Sequence, residues 1–196
     1  MDNRYLDCLA AAFSYGHEQV YREEIIEKRI AYSPFFQTLE REEDSPILYM
    51  SIESLLASLF YDSRKKEYSY KNYSQCSWVA ELYWRIQKES KLTFEAVFLY
   101  LPLKKAYQMY PIYHEMDFSQ AIAFFQELRQ KKTVLSLAMK RQEMANALLA
   151  FASGVSYSTI GALRIGRRDI RQVATIHVLK MARALHVRLE TLLEVC

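Results

Sequence analysis

Arg164, Arg167, Arg168 and Arg171 crowd into one short stretch of the chain. A guanidinium offers a planar fork of N–H donors that matches a phosphate, so the group suits a polyanion better than a reaction centre. The charge around it agrees. Residues 129–196 hold 12 Lys and Arg against four acids, whereas residues 1–128 hold 14 against 19. The net charge of +3 therefore hides a cationic C-terminal third and an acidic remainder. Binding to a phosphate backbone with release of counterions requires cations gathered in this way. The plainer alternative is a solvated arginine-rich loop.

Other groupings promise less. His114, Glu115 and Asp117 lie together but fit no zinc spacing, and they read as a polar loop before a helix. Ser63 to Tyr73 interleaves basic and aromatic residues; a single segment makes no stacking platform, so an exposed loop is expected. The sequence contains no Gly-rich phosphate loop, G-x-S-x-G elbow or paired Cys ligands. No catalytic set, cofactor or metal is expected, and an enzyme ranks third among the function classes. Cys8, Cys76 and Cys196 are widely spaced and odd in number, which suits reduced thiols in a cytoplasm. No apolar run approaches the roughly 18 residues of a membrane span, and no basic start precedes an apolar stretch as in a secretory signal. A cytoplasmic protein without membrane contact is expected.

Helices must position these groups. An apolar fraction of 51%, with only four Gly and four Pro, points to an all-α chain with short connections. Apolar spacing predicts helices over Asp2 to Phe13 and about Glu18 to Tyr32, after which Pro34 interrupts. The acidic run Glu40 to Asp44 reads as a helix end plus an exposed loop. Ser45-Pro46 should start a helix reaching about Asp62, and Ser74 should cap one reaching about Glu89. Pro102 divides the apolar stretch Thr93 to Met109 into two short helices, with Pro111 ending the second. Asp117, with Gln120 three residues on, forms a capping-box pattern for a helix to about Arg129. Of the 15 Tyr, only Tyr157 lies in the C-terminal third, so residues 1–129 read as a Tyr-rich helical module for dimerisation or partner binding.

Beyond the boundary at Gln130-Lys131-Lys132 the local signals become sharper. Ala150 is small where two helices must touch, Gly154 can take the positive φ that turns the chain, and Ser156 can cap the next helix. Ile160 and Leu163 give that helix one buried side. Two helices at a steep angle around a Gly turn make a helix-turn-helix. With Gly166-Arg-Arg168 and Ala182-Arg-Ala-Leu-His-Val187 in register, residues 150–193 resemble the DNA-binding domain of the phage repressor and Cro family.

The resemblance implies a five-helix domain over residues 130–196. Its helices would run over Val134 to Met139, Ala145 to Ser153, Tyr157 to Ile165, Thr175 to Leu185 and Leu189 to Val195. It also implies that the start of the third helix faces base edges while the start of the second and the loop after the third hold phosphates. Carried over by position, Tyr157 and Ser158 would read bases, with Asn146, Ser156, Arg164, Arg167, Arg168 and Arg171 completing the DNA-binding set. Gly161 and Ala162 stand where base-reading side chains could be, so direct readout rests on Tyr157 and Ser158. His186 takes the place of the family's usual Gly at the end of the fourth helix. The implied function is a DNA-binding regulator of repressor or antitoxin type, from a phage or mobile element, working as a homodimer on double-stranded DNA. The alternative is a protein-binding adaptor or inhibitor that keeps a degenerate helix-turn-helix, such as a phage-encoded anti-CRISPR-type inhibitor.

Overall fold

A helix that is apolar on every side belongs in the middle of a protein. Phe94–Tyr100 comes close to this, apolar but for Glu95, and all seven of its residues are buried. The computed structural model describes residues 3–61 and 73–195, and among these the chain is all-α, with thirteen α-helices, two 3-10 turns and no strand. In chain order the first eight are α1 (Asn3–Glu18), α2 (Glu23–Ala31), α3 (Pro34–Glu40), α4 (Ile52–Phe60), α5 (Tyr73–Ser90), α6 (Phe94–Tyr100), α7 (Leu103–Tyr113) and α8 (Phe118–Lys131). The C-terminal third supplies α9 (Val134–Arg141), α10 (Asn146–Ser153), α11 (Tyr157–Arg164), α12 (Thr175–Leu185) and α13 (Leu189–Leu193). Among the described residues, no helix is long and apolar enough to cross a membrane.

The central helix α6 packs against α2, α5 and α8 from the earlier part of the chain and against α9 and α13 from the last third. Aromatic rings link the layers. Phe13 of α1 meets Tyr83 of α5 at 5.8 Å, and Tyr83 meets Phe98 of α6 at 4.9 Å. Each such side chain contributes about 1.5–3 kcal/mol through burial. The Tyr83 hydroxyl donates to the Leu101 carbonyl at 2.6 Å, so its polar end is satisfied in the dry interior.

Several boundaries differ from expectation, each for a local reason. α1 runs on to Glu18, and the chain then breaks where one helix over 18–32 was predicted. Val20 adopts φ 58, with Tyr21 N–H donating to the Gly16 carbonyl and Val20 N–H to that of His17. This is the closing bond pair of a glycine-ended helix, made here without glycine. Glu42, Glu143, His186 and Glu194 close helices in the same left-handed state. Pro46–Tyr49 forms only a 3-10 turn; Ser51, accepting from Ser54 N–H at 3.2 Å, caps α4 instead of Ser45. Ser74 lies inside α5. Pro111 sits within α7 rather than ending it, and the Tyr107 carbonyl that Pro111 cannot serve accepts from Gln75 Nε2 at 3.2 Å. Asp117 does cap α8, accepting from Ser119 N–H at 2.7 Å. The loop expected over Ser63 to Tyr73 falls almost wholly outside the described residues, as does Cys196.

The acidic run beginning at Glu40 does hold a helix end, since α3 closes at Glu40, but the Glu40 side chain is buried rather than turned to solvent. Its carboxylate accepts from Phe94 N–H, at the start of α6, and from Arg188 Nη2 at 2.7 Å. Glu27 does the same elsewhere, accepting from Leu103 N–H at the start of α7 at 2.6 Å and pairing with Arg141 at 2.5 Å. Glu95 accepts from Arg188 N–H at 2.8 Å and from the Thr191 hydroxyl at 2.7 Å, anchoring the start of α13. The three carboxylates thus lie on the seam between residues 1–129 and the last third. Burial pushes Glu27 and Glu40 above the ordinary carboxyl range, and Arg141 and Arg188 draw them back only in part.

Glu40→Ala strands the Arg188 guanidinium and the Phe94 amide, and should lower stability in urea unfolding by about 3–5 kcal/mol. Glu43→Ala, at the exposed Arg41–Glu43 pair, should change it by no more than about 0.5 kcal/mol. Glu27 and Glu40 bind their protons more tightly folded than unfolded, so folding takes up protons above the ordinary carboxyl pKa of 4.5. The proton-linked part of their contribution is complete below that value and is lost as pH rises through their raised folded values. Unfolding measured from pH 4.5 upward should show this decline, and the Glu27→Gln/Glu40→Gln protein should show a flatter profile. Superimposable profiles would contradict the assignment.

Candidate nucleic-acid interface

Two tight helix ends set the geometry of the arginine-rich region. α10 stops at Gly154, whose φ of 72° few other residues adopt, and the Gly154 N–H bonds the Ala150 carbonyl at 2.9 Å. His177 of α12 donates from Nδ1 to the Ser153 carbonyl at 2.8 Å, fixing the turn to its neighbour. Ser156 then accepts from Thr159 N–H at 3.2 Å and caps α11. Ile160 and Leu163 are buried, which leaves Tyr157 and Ser158 outward; Tyr157 is 63% exposed. At its far end α11 closes through Gly166 (φ 74), with Arg167 N–H on the Ala162 carbonyl and Gly166 N–H on that of Leu163. That closure delivers Arg167 and Arg168 to the surface directly after the helix.

Of the expected set, Asn146, Ser158, Arg164 and Arg167 line one groove of about 890 Å³. Arg164 Nη1 donates to Asn146 Oδ1 at 3.0 Å, and the Thr133 hydroxyl donates to the Arg164 carbonyl at 2.9 Å. The polar wall is therefore pinned from two neighbouring helices. Arg168 and Arg171 line a different hollow of about 400 Å³, which also contains Asp169 and Glu194. Arg171 is held by Asp169 at 2.8 Å, and that pairing keeps the Asp169 carboxyl below its usual range. Ser156 is engaged in capping, with its hydroxyl also bonded to Thr159 Oγ1 at 2.9 Å. Tyr157 stands at the head of α11 and does not line the groove.

Three cations escaped the sequence-based selection. Arg129, Lys131 and Lys132, at the end of α8, line the same groove. Their spacing was visible, but a boundary between modules was assigned to the same residues. The groove carries no carboxylate, whereas the hollows around Glu27, Glu23 and Glu194 each include acids. The outer face of α10 has a different character: Leu148 is 62% and Phe151 91% exposed. His114 stacks on Tyr110 at 4.7 Å and donates from Nδ1 to the Tyr110 carbonyl at 2.9 Å, and no group of three His, Cys, Asp or Glu suited to a metal occurs among the described residues. Comparison with protein-family models, curated proteins and solved structures returns no match.

Gly161 faces open room. A Cβ there would lie 3.8 Å from Asn146 Nδ2, an ordinary contact. Gly161→Ala should therefore stabilise the protein by about 0.5–1 kcal/mol in urea unfolding, through helix propensity alone. A loss of stability would mean that α11 and Asn146 pack more tightly than described.

Proposed function

We propose that the chain is a DNA-binding regulator of repressor or antitoxin type, with α10 and α11 as a helix-turn-helix and the start of α11 directed at the major groove. The observation that carries this reading is the alignment of Asn146, Ser158, Arg164 and Arg167 along one acid-free groove beside the exposed head of α11. Arg164 and Arg167 hold backbone phosphates, with Arg168 adding charge next to them. Tyr157 and Ser158 supply what base reading there is, by hydrogen bonds and contact with thymine methyl groups. A single unit covers a half-site, so the working form is a homodimer.

A second reading is favoured by Phe151 and Leu148, which place an apolar strip in water on the outer face of α10. In that reading the chain is a protein-binding adaptor or inhibitor.

Mobility-shift titrations at several salt concentrations, using duplexes that include the DNA beside the chain's own gene, test the first reading. Affinity should fall with salt by a log–log slope of about −0.9 for each phosphate held. Arg164→Ala/Arg167→Ala should weaken binding to every duplex alike, whereas Tyr157→Ala should change the preference among sequences. Absence of binding, or binding indifferent to salt, sinks the regulator. If a protein partner is instead retained by the native chain and lost with Phe151→Lys, the adaptor reading stands.

A further inference from the structure

The strip Arg129 to Lys132 closes α8 at the boundary between residues 1–129 and the last third, and it lines the same groove as Arg164 and Arg167. The backbone there is fixed: the Tyr100 hydroxyl lies 3.2 Å from the Lys132 carbonyl, and Arg129 Nη2 donates to Glu194 at 3.2 Å. The side chains differ in their commitments. Arg129 is tied to Glu194, while Lys131 pairs only with Glu127 one turn back, in an exposed contact of the kind that contributes little. Lys132 is exposed and lines the groove. Two lysines and two arginines thus line one space of about 890 Å³, whose lining includes no acid.

We propose that Lys131, the last residue of α8, and Lys132 after it hold a strand of duplex DNA by its phosphates, in the groove that Arg164 and Arg167 also line. This rests on the DNA-binding reading and extends it: the contact surface reaches beyond the helix-turn-helix to the end of α8. Thr133, directly after Lys132, donates from its hydroxyl to the Arg164 carbonyl at 2.9 Å, which ties the end of α8 to α11 beside the groove. Lysine is a point charge without the planar fork, so its contribution is independent of base sequence.

The test compares native protein, Lys131→Ala/Lys132→Ala and Lys104→Ala/Lys105→Ala, the last an exposed lysine pair on α7 outside this groove. Each is titrated on a preferred and a scrambled duplex across a salt series. Removing Lys131 and Lys132 should reduce the magnitude of the log–log salt slope by about one to two, since each phosphate held contributes about 0.9. Affinity should fall severalfold for both duplexes, with the ratio between them unchanged, and the α7 variant should match the native slope. If the native protein binds DNA and the Lys131→Ala/Lys132→Ala slope equals its own, or the α7 pair costs as much, the α8 contact is overturned while the DNA-binding reading survives. If the native protein binds no duplex, both fall.

Discussion

A helix that begins in the interior must find acceptors for amide hydrogens that none of its own turns can satisfy. Here α6, α7 and α13 meet that demand with carboxylates from Glu40, Glu27 and Glu95. A carboxylate in a dry interior raises a demand of its own, because an unpaired buried charge is far from its preferred solvent. Arg188 and Arg141 answer it from the far end of the chain. One arrangement therefore satisfies helix ends, acids and arginines together, and it does so only if the last third docks on α6. The apolar residues of α6 supply the adhesive area, and the carboxylates, Glu95 of α6 among them, fix the register.

The same seam reshapes the electrostatics of the surface. Arg141 and Arg188 belong to the cationic C-terminal third, yet their charge is answered by acids of the earlier stretch. Asp169 answers Arg171 and Glu194 answers Arg129. What remains toward solvent is narrower than the net charge of the segment suggests, and much of it is gathered at the ends of α8 and α11. Position along a groove, rather than total charge, is what distinguishes this face from ordinary basic surface.

The C-terminal third was readable because its signals are local. Gly154, Ser156 and the spacing of Ile160 and Leu163 each fix a turn, a cap or a face with no help from distant residues, and the helices fall within a few residues of where those signals put them. The earlier part was less readable for an equally physical reason. Val20 and Glu42 end helices in a conformation usually marked by glycine, so the breaks leave no trace in composition. Pro111 looks like a stop until Gln75 is brought beside it by the fold. Glu27, Glu40 and Glu95 look like surface acids, since their partners lie 54 to 148 positions along the chain. Of the candidate site, the arginines were legible by type, but their division between two hollows depends on how α8 and α13 pack. Lys131 and Lys132 are equally plain in the sequence, but that they share a groove with Arg164 depends on how the end of α8 packs beside α11.

The fastening of Glu40 and Glu95 by Arg188 also orders events during synthesis. The earlier helices leave the ribosome first, carrying the greasy α6 and three acids whose arginine partners are not yet made. They can gather, but the centre stays unfinished until residue 188 has emerged and swung back onto it. For that interval the nascent polypeptide offers a sticky, acid-lined cleft that a chaperone would have to shield, and completion arrives as one late, concerted closure.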